Sequence, residues 1–570
     1  MRCPSIGRRC KGEPRCCRST LFRSSRISAA WSASPVSAAR CWRTLLRSDH
    51  RTTIETAGAP RVPAVSLSSR RVGVENVEEC RVRADPGFES RCARLEPRDA
   101  EFVYNEHDGH LEHLVAVYLF DETSASSTSL TEERVREWMH ARLGSHRVFT
   151  SVITRSPLGI DHPHWVPTET VDLRHHLRVW AAPGPGWDGV GPLLGEMVTS
   201  RVDLARPPWE LHVITGVTGL DLHDGPVTAV ALKLHHSAAD GLAVMELAHK
   251  LFSETPLPAP AAAPVRLPRT RMLVRSVRDI PRRTRTLVRS VPGNRASARA
   301  VEAACAAGDW PRLPRRPATR FNTVASGRAC LRSIVLPGKQ VAATRSAAPG
   351  ITINDVVLAA VGGALDRYLR EHGERPDGAL VAMVPRSMRR LERWQSANQL
   401  VVLAVDMHTD VADPVDRLTA VSASSRLEKK RTSHPAMRRQ VAAMDTAPPL
   451  IWRLAAYLRR RNRYESNTSR TSHTMISNIP LTVDGLTFGG ARAVAVLGSQ
   501  PPIDGDRLRH FVTTASGGDL VLTVIADPEV MPDLPHYLEV IRTSLGELHD
   551  AVRARGSEPF ADPDAAATPA

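Results

Sequence analysis

The sequence predicts an α/β protein built as two halves, and three observations predict it. Val227 to Leu247 (VTAVALKLHHSAADGLAVMEL) runs from a β-branched, apolar stretch through a polar elbow into apolar residues at helical spacing. Phe252 to Pro264 carries Pro256, Pro258, Pro260 and Pro264 among several alanines, which neither a helix nor a central strand tolerates, so it reads as a linker that divides the core. Strand-like and helix-like patterns occur on both sides of that linker.

Composition sets outer limits. The 570 residues are 42% hydrophobic and 24% charged, ordinary values for a chain that buries a sizeable core. No uncharged apolar run reaches about 18 residues, so no transmembrane helix is expected, and any contact with lipid is made from the surface. A formal charge of +16 brings both nucleic acid and anionic membrane into view. Its distribution argues against nucleic acid, because 18 Lys and Arg against 8 Asp and Glu precede residue 93. Basic residues are nearly all Arg, a habit of GC-rich coding sequence.

Residues 1–92 differ from the rest. They hold Cys3, Cys10, Cys16, Cys17, Cys41, Cys80 and Cys92 amid Arg and Ser with little hydrophobic periodicity. A metal site would want paired Cys at ligand spacing, which Cys16-Cys17 does not supply. A targeting peptide would need an apolar core after Arg8-Arg9, and none follows. The expectation is a disordered extension, or translation from a start upstream of the true one. Cys305 and Cys330 are too few for a disulfide framework, which suits a reducing compartment and makes cytoplasm the expected location.

From Leu95 the pattern becomes that of a folded protein. A short helix leads into a strand over His113 to Phe120, and Leu130 to Leu143 reads as a helix with Ser129 and Glu132 at capping-box spacing. His175-His176 repeats the look of His235-His236 without the Asp-Gly that follows, and reads as structural. Leu193 to Leu204 reads as a helix, and Trp209 as a buried aromatic on a strand. The next strand delivers His235 and His236, which point to opposite faces unless the backbone turns between them, so one does chemistry while the other packs. Imidazole, with an unperturbed pKa of about 6.5, suits removal of a proton from an alcohol. Asp240 sits at a helix start, and Gly241 permits a sharp turn. The bland alternative is a pair of satisfied histidines at a strand end.

Beyond the linker, Arg266 to Arg320 interleaves Met272, Val274, Val277, Ile280 and Val288 with arginines, the pattern of a basic amphipathic helix at a membrane surface, or of a solvated crossover helix. Ile351 to Leu369 opens a helix at Asn354 and Asp355, with Thr352 as N-cap. Strands follow at Ala379 to Met388 and Leu400 to Val405, then a helix over Pro414 to Lys430. Pro448 to Arg463 is apolar with Trp452 and Tyr457 and ends in Arg, a second candidate for membrane contact. A last strand pair and a C-terminal helix close the chain, and residues 557–570 read as a disordered tail.

Several of these blocks together resemble one family. HHSAADG fits HHxxxDG, RPPWELHVI is similar to a PLWE block with Pro208 in place of Leu, and NDVVLA and Ser477-Asn478-Ile479-Pro480 are similar to two later signatures. Asn398 stands in a GN-like block with Ala397 in place of Gly. Leu95 to Leu548 thus resembles the bacterial wax ester synthase/diacylglycerol acyltransferase family of the CoA-dependent acyltransferase superfamily.

The resemblance implies two chloramphenicol-acetyltransferase-like halves, each a mixed sheet with helices, around a central tunnel. The expected units are residues 93–252 and 321–556, with 253–320 as linker and basic crossover. It further implies transfer of a long-chain acyl group from acyl-CoA to diacylglycerol, giving triacylglycerol, or to a long-chain alcohol, giving wax ester. His236 would be the general base, His235 its positioning partner, Asp240 a structural residue holding the loop, and Gly241 the turn. Asn354, Asp355, Ser477 and Asn478 would lie near the tunnel. No metal and no cofactor beyond the acyl-CoA substrate is expected, and no nucleic acid partner. The expected location is the inner face of the plasma membrane or a lipid droplet. A non-catalytic lipid-binding relative is the competing reading.

Overall fold

Along the strand His113–Asp121 the side chains divide between two cores. Leu114, Ala116, Tyr118 and Phe120 enter one, while Val115, Val117 and Leu119 enter the other. A strand buried on both faces needs a layer on each side and a partner at each edge. In this computed structural model it pairs antiparallel with Val227–His235 on one edge and with Ala491–Ser499 on the other. The structure describes residues 93–124, 130–253, 268–310, 316, 318–346, 350–392, 394–461, 472–479 and 482–555. The expected extension (1–92), most of the Pro-rich linker (254–267), Ser129, Pro480 and the C-terminal tail (557–570) lie outside the described residues.

The first sheet has six strands, in the order Thr487–Phe488, Ala491–Ser499, His113–Asp121, Val227–His235, Trp209–Val217 and Leu177–Ala181. The last neighbours are parallel and the others antiparallel, so the sheet is mixed. A second six-stranded sheet runs Leu400–Asp406, Val381–Ser387, Thr474–Asn478, Leu508–Thr514, Leu520–Ala526 and Cys330–Leu336. Helices Ile353–Glu371, Pro414–Ser433 and Leu534–Arg555 cover it around Val357, Leu365, Leu418 and Ile541. Between the sheets lies a third apolar layer, in which Val117, Ala231 and Leu497 meet Leu331, Met475, Phe511 and Val521.

The molecule is therefore two sheet-rich halves, but sheet membership does not follow the expected boundary. Residues 487–499, assigned from sequence to the second half, complete the first sheet. The reason is edge pairing: His113–Asp121 has one edge that the first half leaves open, and Ala491–Ser499 covers it.

The helix expected over Leu193 to Leu204 runs instead over Gly186–Thr199. Its glycines look like breakers, yet a Cβ on Gly195 would lie 2.3 Å from the carbonyl oxygen of Ala329, and one on Gly191 would lie 3.2 Å from that of Leu331. Absence of side chains lets this helix press onto the second sheet. The basic stretch forms two helices, Arg269–Arg278 and Ile280–Ala307. Met272 and Val301 are buried, Val274, Val277 and Val288 are exposed, and Arg283 turns inward to Asp161. Among the described residues no helix is long and apolar enough to cross a membrane, and no group of three or more His, Cys, Asp or Glu side chains could hold a metal ion.

Candidate active site

Both edges of Val227–His235 are paired, so the strand delivers its C-terminal end with little freedom. The main-chain N–H of His235 donates to Pro208 O at 3.0 Å and that of His236 to Glu112 O at 2.8 Å. The chain then turns, with Ala238 N donating back to His235 O, and enters the helix Gly241–Phe252.

The two rings occupy different surroundings. His235 is wholly buried, with Nδ1 2.7 Å from Ser237 Oγ and Nε2 3.5 Å from Glu106 Oε2. His236 stacks face to face on Phe102, with ring centroids 4.2 Å apart and planes 4° from parallel. Its Nδ1 is buried and bonds to no side chain. Burial lowers the pKa of His236, with Glu112 and Asp240 pulling the other way. The ring is therefore neutral near physiological pH and able to accept a proton.

Behind these histidines lies a buried polar network. Lys233 Nζ, fully enclosed, donates to Ser200 Oγ at 2.7 Å and Glu210 Oε2 at 3.2 Å. Burial lowers the pKa of Lys233 and Glu210 offsets this in part, while His212 and Lys233 outweigh burial at Glu210 and bring it down to about 2. Burial of a charge this deep is tolerated only with such a partner. The decoy His176 stacks on Trp209 at 4.4 Å and contacts its carbonyl oxygen through Nδ1 at 2.7 Å.

Asp240 is the N-cap of the helix and a junction between the halves. Its Oδ1 accepts from Ala243 N at 2.9 Å and from Arg389 Nη2 at 2.9 Å, and its Oδ2 from Gln399 N at 3.0 Å. Gly241 differs from expectation. It does not have positive φ, so no left-handed turn requires glycine there. Space does: a Cβ at Gly241 would lie 2.9 Å from Ile479 Cδ1. Ser477 and Asn478 belong to the strand Thr474–Asn478, paired with Phe511 and Val512, so this segment reaches the histidine loop through Ile479.

Asn354 and Asp355 have other surroundings. Asp355 closes a capping box with Thr352, accepting from Thr352 N at 2.9 Å and Oγ1 at 2.7 Å, and from Ser422 Oγ at 3.4 Å. Asn354 Oδ1 is buried without a partner. Asp355's bonds thus hold the start of its own helix and tie it to the helix Pro414–Ser433 rather than to the histidine loop.

Two residues that matter were not anticipated. Asp99, on the helix Pro97–Asn105, accepts from Ser396 Oγ at 2.6 Å, Ala397 N at 3.0 Å, and Asn398 N and Nδ2 at 3.1 and 2.9 Å. Phe102, one turn on, forms the platform for His236. Asn398 Nδ2 also donates to His236 O at 2.8 Å. Ala397 has no left-handed φ, so its replacement of glycine carries no strain. An acid in a first helical turn reads as an ordinary complement to the helix dipole, and only the neighbouring aromatic hinted at more.

Comparison with known proteins places these observations in context. Residues 95–357 match the wax ester synthase/diacylglycerol acyltransferase catalytic domain, and residues 396–549 the WS/DGAT C-terminal domain. The chain is 30% identical over 482 residues to "Probable diacyglycerol O-acyltransferase tgs2" of Mycobacterium tuberculosis, with 80% of this chain and 98% of the relative covered. The fold is similar to the wax ester synthase/diacylglycerol acyltransferase of Marinobacter aquaeolei VT8, with a TM-score of 0.55 at 22% identity over 81% of this chain and 100% of that one.

Proposed function

This chain belongs to the wax ester synthase/diacylglycerol acyltransferase family, and on that premise we propose that it moves a long-chain acyl group from acyl-CoA to the hydroxyl of diacylglycerol. His236 acts as general base. It removes the hydroxyl proton as the alcohol oxygen attacks the thioester carbonyl, and returns it to the CoA thiolate when the tetrahedral intermediate collapses. The donor reaches the histidine along a tunnel between the halves, and neither a metal nor a further cofactor takes part. The observation that carries this reading is the His236 ring itself, lowered in pKa by burial, stacked on Phe102 and fixed through its main chain by Glu112 and Asn398. The name of the mycobacterial relative supports diacylglycerol as the acceptor, with a long-chain alcohol as the second candidate.

The enzyme works on the cytoplasmic face of a membrane or on a lipid droplet. Supporting this, the helix Pro449–Arg461 buries Trp452 and Ala455 while exposing Leu450, Leu454 and Tyr457 beside Arg453, Arg460 and Arg461. That face pairs apolar side chains with positive charge, as a lipid surface requires.

The test is acyl transfer from labelled long-chain acyl-CoA, with diacylglycerol and hexadecanol offered in parallel. Product that vanishes in His236→Ala is expected. Folded protein that binds acyl-CoA but forms no product with either alcohol would overturn the reading in favour of a lipid-binding relative.

A further inference from the structure

A narrow cleft near the histidine loop is lined by Asn105, His107, His110, Arg459, Arg460 and Asp504. Its two arginines come from the last turn of the helix Pro449–Arg461. Arg459 Nε and Nη2 are buried without hydrogen-bond partners, and its ion pair with Glu101 is loose at 3.8 Å. Burial raises the pKa of Glu101, with Arg459 opposing, so the positive charge of Arg459 is weakly answered. Arg460 is exposed. Asp504, the carboxylate in the lining, is already engaged, with Oδ1 accepting from Ala325 N at 2.9 Å.

Guanidinium N–H groups removed from water are costly unless an acceptor meets them. The natural complement is an anion with several oxygens, which an arginine fork binds in a fixed geometry. The cleft is also close to the reaction centre by two routes. Glu101 adjoins Phe102, on which His236 stacks, and His110 Nε2 lies 3.1 Å from Oε1 of Glu112, whose carbonyl oxygen holds His236 N.

We propose that this cleft binds a phosphate ester through Arg459 and Arg460. Two sources carry that chemistry: the phosphates of the acyl-CoA donor, and the headgroup of a phospholipid at the surface facing Leu450 and Leu454. Only the first source rests on the acyltransferase reading.

The experiment uses the full chain with Arg459→Gln and, because Arg459 is partly buried, the exposed Arg460→Gln as a second variant whose thermal melt should match wild type. Calorimetry compares CoA with pantetheine, which lacks phosphate, and sedimentation compares phosphatidylglycerol with digalactosyldiacylglycerol vesicles, which lack it too. Donor phosphate predicts that CoA binding weakens about tenfold in each variant while pantetheine binding is unchanged. Headgroup binding predicts a comparable loss on phosphatidylglycerol vesicles alone. Unchanged binding of both CoA and phosphatidylglycerol, or equal losses for pantetheine and the phosphate-free digalactosyldiacylglycerol, would overturn the proposal. A wild-type chain that binds CoA through Arg460 yet transfers no acyl group would support the cleft and overturn the transferase reading, so the two fail separately.

Discussion

Asn398 holds His236 by its main chain, its side-chain amide lying 2.8 Å from the His236 carbonyl oxygen, while the same nitrogen donates to Asp99 at 2.9 Å. One amide thus ties the first helix, the second half and the histidine together. Replacing Asn398 by Ala strands the His236 carbonyl oxygen, costing about 1–3 kcal/mol, while Asp99 keeps Ser396 and two main-chain donors. The expected result is a kcat at least about tenfold lower, with urea unfolding shifted to lower denaturant. Wild-type kcat in Asn398→Ala would show that the carbonyl needs no such support.

Asp240 has three donors, so its loss and that of Arg389 are unequal. Asp240→Ala removes the helix cap, the Gln399 contact and the ion pair, and should cost about 2–4 kcal/mol. Arg389→Met leaves Asp240 its two main-chain donors and should cost less than half as much. Equilibrium unfolding of both variants checks the order, and equal losses would contradict it.

Gly241 is required for space rather than for a turn. Gly241→Val, pressing on Ile479, should destabilise by about 1–3 kcal/mol and reduce activity. Trimming the neighbour in Gly241→Val/Ile479→Ala should recover part of both. A double variant no better than the single one would point back to backbone conformation.

His510 is buried between Thr474 and Tyr537, and burial lowers its pKa to about 4. The unfolded chain, with an imidazole pKa of about 6.5, binds the proton that the folded state refuses, so stability rises with pH through this window. Between about pH 6.5 and pH 4 this one group contributes a slope of about 1.4 kcal/mol per unit. His510→Asn should flatten the measured dependence by that amount. An identical slope in the variant would refute the assignment.

What was legible in the sequence was local. Val227 to Leu247 displays strand, elbow, N-cap and helix within one stretch, each set by neighbouring residues. The contact between Asp99 and Asn398 joins residues 299 apart in the chain, and side-chain bonds of that reach leave no periodic trace. At Gly241 glycine read as a turn, whereas there, as at Gly195 inside a helix, the side chain is absent because another segment passes close by. Asn354 and Asp355 show how little a polar pair at a helix start reveals, since it serves the helix as readily as a substrate, and Asp355 closes the capping box.

The strand Ala491–Ser499, which covers the open edge of His113–Asp121, has a consequence for biosynthesis. Chain emerges from the ribosome N-terminal end first, so the first sheet waits, with that edge bare, for a segment made more than three hundred residues later. Nascent protein must be kept from pairing this edge with another molecule, which places a demand on chaperones. For the same reason a gene cut between the halves would yield two fragments that fold only when mixed.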